Sequence, residues 1–219
     1  MVGTTTINTI SYDYFEGTEV TNGNSSTRVK TITQSYDSGT YTQTMEYTDQ
    51  GYIESITNQS SQVIEYFYDE GNQLVRENNQ INGYTYLFNY NDYGNIINQY
   101  LYNTCTLGSG SLSTPNLIKG YSYNSTWKDK IAQISYIYPY DFSSNYYIQY
   151  VYDNSGNVLT ATDSRGSGFS SSYTWSGTQL SSYTYGSGAT LVEASYTYNQ
   201  SGIRDSKTVD SITTTYYLD

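Results

Sequence analysis

Five carboxylates, Glu46, Glu54, Glu65, Asp69 and Glu77, lie close together in the chain. Two such groups placed across a sugar would make a glycosidase. None has a context that sets it apart, because each falls in a turn or strand of a repeating pattern. The sequence contains no histidine, which excludes Ser-His-Asp and Cys-His nucleophilic arrangements. Cys105 is the sole cysteine, so neither an intramolecular disulfide nor a cysteine-based metal site can form. Asp153-Asn154-Ser155-Gly156-Asn157 and Asn91-Asp92-Tyr93-Gly94-Asn95 look like pieces of calcium loops. Both lack the glutamate that would complete such a loop, and Asx residues ahead of glycine read as plain turns. No catalytic, cofactor-binding or metal-binding residue is therefore assigned, and no enzyme is expected. The aromatic residues leave two readings open. Tyr-x-Tyr pairs either pack against neighbouring strands or form a platform for a cell-surface glycan, although only Trp127 and Trp175 supply indoles.

The elements that carry these residues are hairpins. Between Gln149 and Arg204 the pattern is clearest: Tyr150-Val151-Tyr152-Asp153-Asn154-Ser155-Gly156-Asn157-Val158-Leu159 opens it, and Tyr196-Thr197-Tyr198-Asn199-Gln200-Ser201-Gly202-Ile203-Arg204 closes it. Residues two apart share a strand face, so each tyrosine pair points one way. An Asp or Asn at the first turn position can accept hydrogen bonds from the backbone ahead of it. Glycine at the fourth accepts the positive φ that starts the return strand. The same unit recurs at Tyr47 to Ile56, at Tyr66-Phe67-Tyr68-Asp69-Glu70-Gly71 with a turn read as one residue shorter, and at Tyr84 to Ile97 through Tyr90 and Gly94. Tyr173-Thr174-Trp175-Ser176-Gly177 is a copy with Trp in place of Tyr. The turn glycines recur every 20 to 25 residues, the sign of a stacked array. The repeat signature is carried by Tyr68, Asp69, Gly71, Tyr90, Gly94, Tyr152, Asp153, Gly156, Tyr198, Gly202 and Arg204.

Tyr152-Asp153-x-x-Gly156-Asn157-x-Leu159 resembles the repeat unit of the YD-repeat, or rearrangement-hotspot (Rhs), proteins. That family includes teneurins and the cocoon subunits of bacterial insecticidal toxin complexes. The stretch from Tyr198 through Gly202-Ile203-Arg204 to Tyr216-Tyr217-Leu218-Asp219 is similar to the last repeats of Gram-positive members. Trp127-Lys128-Asp129-Lys130-Ile131 resembles a variant repeat of that subgroup. The resemblance covers about residues 30 to 219. It implies repeats that spiral into a hollow shell, which in toxin members encloses a C-terminal effector. It also implies a bacterial protein that is secreted or held at the cell surface. The Asp-Pro motif near which some members cut themselves is absent, since Pro115 and Pro139 follow Thr114 and Tyr138.

Composition agrees with β structure built on rings. Thirty of 219 residues are tyrosine and 36% are hydrophobic, so aliphatic side chains are few. Aromatic and β-branched residues nonetheless favour ordered strands over disorder. The net charge of −11, without a basic cluster, disfavours nucleic acid and anionic membranes. No apolar run approaches membrane-spanning length, and the first residues lack the pattern of a signal peptide. An excerpt from a longer secreted protein is expected. Residues 1–219 read as a single all-β domain, an array of antiparallel β-hairpins in a long, twisted, curved sheet, part of a spiral shell. Residues 1–30 are less regular. A strand at Thr5–Tyr14, a tip around Asn22-Gly23-Asn24, and an insertion loop at 103–120 are expected, as is a strand at Ile134–Tyr140. No helix is predicted. The resulting expectation is a non-enzymatic scaffold whose main partner is the rest of its own chain. A glycan-binding surface module is the alternative.

Overall fold

The computed structural model describes residues 8–16, 25–36 and 39–217. The tip predicted around Asn22-Gly23-Asn24 lies outside these residues, as do positions 5–7 of the first predicted strand. Seventeen strands run through the described residues. They are β1 (Asn8–Glu16), β2 (Ser25–Tyr36), β3 (Gly39–Tyr47), β4 (Ile53–Asn58), β5 (Val63–Tyr68), β6 (Leu74–Asn79), β7 (Tyr84–Tyr90) and β8 (Ile96–Tyr102), followed by β9 (Leu117–Tyr123), β10 (Ile131–Ile137), β11 (Tyr146–Tyr152), β12 (Val158–Asp163), β13 (Ser171–Ser176), β14 (Gln179–Tyr185), β15 (Val192–Tyr198), β16 (Arg204–Val209) and β17 (Ile212–Thr215). Helical structure among them is limited to three 3₁₀ turns of 3 residues each. No helix there is long and apolar enough to cross a membrane.

The chain forms two compact units, Met1–Asn89 with Gln99–Asn116, and Tyr90–Asn98 with Leu117–Asp219. In the first, β1 to β7 each pair with the next strand, always antiparallel. In the second, β9 to β17 do the same. The fold is thus the all-β array of antiparallel hairpins that the repeat predicts.

Three segments have bounds other than those expected from the sequence. β1 runs on to Glu16, past the expected end at Tyr14. β10 starts at Ile131 and stops at Ile137, because Ile131 already pairs with Tyr123 and the chain turns at Tyr138 before Pro139 can enter a ladder. The insertion ends at Asn116. Its N–H donates to the Leu101 carbonyl at 2.7 Å, its side-chain oxygen accepts from Asn103 N–H at 2.8 Å, and β9 begins at the next residue.

Alternation along the strands is of period two. In β11, Tyr146, Ile148, Tyr150 and Tyr152 are half-buried, while Tyr147, Gln149 and Val151 between them are exposed. Rings meet directly across the ladder: Tyr136 stacks on Tyr146 with centroids 4.4 Å apart, and Tyr173 lies 5.2 Å from Tyr183. Such pairs add roughly 0.5–1.5 kcal/mol each beyond their area. Of the described apolar side chains, only Met45, Tyr102 and Ala194 are buried, each with 7% of its surface still exposed. Cohesion therefore comes from ladders, ring pairs and side-chain hydrogen bonds more than from a dry interior.

Six hairpins among the described residues carry the same irregularity, the sixth being β9–β10, where the shift falls before Tyr123 and Ala132 is the extra residue. In the other five the register shifts immediately before Tyr47, Tyr68, Tyr152, Trp175 and Tyr198, leaving Glu54, Val75, Leu159, Ser181 and Asp205 as the extra residue of the return strand. A bulge of this kind interrupts the ladder locally and sharpens the strand twist.

Candidate functional site

The turns are built by their first residue. Asp153 Oδ1 accepts from the N–H groups of Ser155 at 2.9 Å and Asn157 at 2.8 Å, while Oδ2 accepts from the Asn157 side chain at 2.9 Å. These bonds hold its carboxyl below the usual carboxylate range. Both oxygens serve the turn. Asn91 and Asn199 make the same pair of bonds to the N–H groups two and four residues on. Gly94, Gly156 and Gly202 occupy the fourth position with φ of 80°, 89° and 77°.

The turn at Asp69 corrects the sequence reading. It is not a residue shorter: Asp69 Oδ1 accepts from Gly71 and Gln73, and the fourth position belongs to Asn72 with φ 62°. Gly71 is third. Asn is the non-glycine residue that best tolerates the left-handed region, so it can replace the glycine here.

The repeat tyrosines have a second connection that links hairpin to hairpin. Tyr152 Oη donates to the carbonyl of Ile131 at 2.8 Å, Tyr68 to Ile53 at 2.8 Å, Tyr123 to Ile96 at 2.7 Å and Tyr198 to Leu180 at 3.0 Å. Tyr47 does the same to Val29 at 2.7 Å, and Trp175 Nε1 replaces the hydroxyl by donating to Val158 at 2.7 Å. Each acceptor belongs to the preceding repeat, mostly at the start of its return strand. A half-buried carbonyl at such a place needs a donor, and the tyrosine supplies it. Tyr152→Phe is expected to lower stability by about 1 kcal/mol in urea unfolding, the net value of one such bond. Tyr147→Phe, on the exposed face, should change it by less than about 0.5 kcal/mol.

The residue just before the accepting carbonyl bridges to the next turn. Lys130 Nζ lies 3.9 Å from the Trp127 ring centroid and 5.1 Å from that of Tyr152, and donates to the Gly156 carbonyl at 2.9 Å. Asn157 Nδ2 donates to Gly177 at 2.8 Å in the same way. Tyr52 instead lays its ring against Tyr68, 5.2 Å between centroids. A methyl on Gly156 would lie 1.8 Å from Lys130 Nζ and displace that flexible side chain from the turn, while the φ of 89° is what favours glycine here. Of the remaining signature residues, Tyr90 is half-buried at the end of β7, and Arg204 places its guanidinium 5.3 Å from the Tyr196 ring and 5.7 Å from that of Tyr216.

A second feature was not legible as a site. On β5, β6 and β7 of the first unit, Glu65, Arg76, Asn78 and Thr85 form a polar nest beneath residues 103–116. Asn78 and Thr85 are fully buried, and Arg76 nearly so. Asn78 Oδ1 accepts from Arg76 Nε at 2.7 Å and Thr85 Oγ1 at 3.2 Å; its Nδ2 donates to Glu65 Oε2 at 2.8 Å. The loop enters this nest through its backbone. Arg76 donates to the carbonyls of Gly110 at 2.8 Å and Thr106 at 3.0 Å, and Asn78 donates to that of Gly108 at 3.0 Å. In return, Gly108 N–H donates to Glu65 Oε2 at 2.7 Å and Thr106 N–H to Thr85 Oγ1 at 3.2 Å. The signal in the sequence was Leu74, Arg76 and Asn78 sharing one face of a strand, with polar residues where apolar ones belong.

This geometry bears on the catalytic candidates. Glu65 lies opposite Asn78, whereas Glu77 lies opposite Tyr66, so the two carboxylates point to opposite faces of the sheet. They cannot flank one sugar. Cys105 sits beside the nest, where burial first and Glu65 second push its thiol up, away from the nucleophilic thiolate.

No protein-family model and no curated protein matches the chain. Solved structures do. The chain is similar to part of the crystal structure of TcdB2-TccC3-Cdc42, with a TM-score of 0.59 and 15% identity over 86% of this chain and 11% of that one. TcdB2-TccC3 without its hypervariable C-terminal region gives 0.58 at 15% identity, over 86% and 11%. TcdB2-TccC3-TEV gives 0.57 at 14% identity, over 93% and 10%. The likeness is one of fold. The present chain spans about a tenth of the length of those it matches.

Proposed function

We propose that residues 1–219 are one array of repeats that serves as a non-enzymatic structural scaffold. It would form part of the wall of a YD/Rhs-type shell that encapsulates or displays a C-terminal effector on a secreted or cell-surface bacterial protein. The observation that carries this reading is the tyrosine-to-carbonyl bond repeated from hairpin to hairpin. Of the residue types that could do chemistry, the Asp or Asn that opens each turn is engaged in building it, and the Tyr in joining one repeat to the next. The motif resemblance supports the family of shells, and the fold likeness to TcdB2-TccC3 chains supports the same architecture. The partner on this reading is the remainder of the polypeptide, with no cofactor.

Limited proteolysis of the full natural gene product tests the proposal. The region after the repeats is expected to resist protease while joined to them and to be digested when expressed alone. Equal digestion in both settings would refute encapsulation. A glycan array is the companion measurement. Specific sugar binding lost in Tyr52→Ala, which removes an exposed ring, would instead make the chain a surface-binding module.

A further inference from the structure

We propose that the nest of Glu65, Arg76, Asn78 and Thr85 is a binding site for a short peptide main chain rich in small residues, occupied in cis by Thr106–Gly110. All five hydrogen bonds between nest and loop end on backbone atoms of residues 106, 108 and 110. The receiving side chains are organised independently of the loop. Asn78 is bonded to Arg76, Glu65 and Thr85 as well as to Gly108. The loop's apolar contribution is smaller. Leu107 is 42% exposed, and Cys105, Leu112 and Pro115 are only half-buried.

An insertion present only to cover a sheet would be expected to bury apolar side chains, since burial is the main source of such stability. This one is held through groups that every peptide possesses. Its side chains set only a conformational condition: Gly108 has φ 70°, which favours glycine, although a Cβ there would meet nothing within 4 Å. The site would thus accept sequences of the type Thr-x-Gly-x-Gly from another segment or another protein whenever the loop is displaced. This inference stands apart from the shell reading and can fail or succeed without it.

The test uses the full chain with residues 104–115 replaced by Gly-Gly. The probe is the fluorescein-labelled peptide Ser-Thr-Leu-Gly-Ser-Gly-Ser, which copies 105–111 with Ser for Cys105. Saturable fluorescence anisotropy is expected for the loop-replaced protein and none for the parent. A probe with N-methylglycine in place of the first glycine should bind about tenfold more weakly, because it lacks the N–H that Glu65 accepts. Arg76→Gln in the loop-replaced background should weaken binding by a similar factor. A folded loop-replaced protein that ignores the probe overturns the proposal, as does equal binding of the N-methylated probe. Should that protein fail to fold, Gly108→Pro in the full-length chain serves instead. It removes the same N–H and fixes φ near −65°, opposite in sign to the native value. Hydrogen exchange identifies the informative state, with loop amides exposed and sheet amides protected. Probe binding by that state supports the proposal; indifference to the probe sinks it.

Discussion

Asn78→Leu is expected to cost about 3 to 5 kcal/mol, the largest loss from any single side chain in the first unit. Leucine has nearly the right volume, so the loss would come from hydrogen bonding and hardly at all from a cavity. Four bonds disappear at a residue with no solvent exposure. They leave Arg76 Nε and the Thr85 hydroxyl without their acceptor, and the Gly108 carbonyl and Glu65 Oε2 without a donor from Asn78. Buried groups stripped of partners cost about 1–3 kcal/mol each, and more when charged, although neighbours that share a network do not add simply. The shift in urea midpoint at constant slope measures it. A loss under about 1 kcal/mol would mean that water enters the nest and replaces these bonds.

Alkaline conditions should unfold the protein cooperatively. Tyr66, Tyr68, Tyr84, Tyr102, Tyr123, Tyr146, Tyr150 and Tyr152 all hold their protons more tightly than a free phenol, whose pKa lies near 10.0, with burial the largest cause in each. The native state therefore binds more protons than the unfolded chain above that pH. The associated stability is fully present below about pH 10 and is lost as the pH climbs through the raised values. Tyr68, Tyr123 and Tyr152 also donate to a backbone carbonyl, a bond that a phenolate cannot make. Tyrosinate absorbance should rise steeply and together with loss of the β signal in circular dichroism. A gradual phenol titration over an unchanged sheet signal would contradict this. The acid side should be quieter. Asp163, bonded twice to the Arg165 side chain, is held low, so its contribution is present above the ordinary carboxylate range and fades only as the pH falls below it.

What the sequence disclosed was local and periodic. Tyr150 and Tyr152 share a face because strands have period two, and Asp153 builds its turn with residues two and four places on. Both facts need only neighbours in the chain. At Asp69 the pattern misleads by one place: a glycine stands at the third turn position, Gly71, while the left-handed residue is Asn72. Which carbonyl each tyrosine would meet could not be read, since Ile131 precedes Tyr152 by 21 residues and only the pairing register brings them together. The nest was less visible still. Gly108 and Glu65 are 43 residues apart, and nothing in a Gly/Ser-rich stretch announces where its backbone will lie. Glu65 stood out only as one carboxylate among five, when its role is to receive a loop.

The tyrosine bond also sets how far trouble can travel. Each of these hydroxyls reaches back by a single hairpin, so through this bond a repeat depends on its nearest predecessor alone; the 103–116 segment, which reaches back to β5, is the exception. Growth can begin wherever two adjoining hairpins first agree, and a lesion in one is quarantined beside its immediate neighbours. Such a chain tolerates gain, loss and drift of whole units more readily than a protein folded about a common centre.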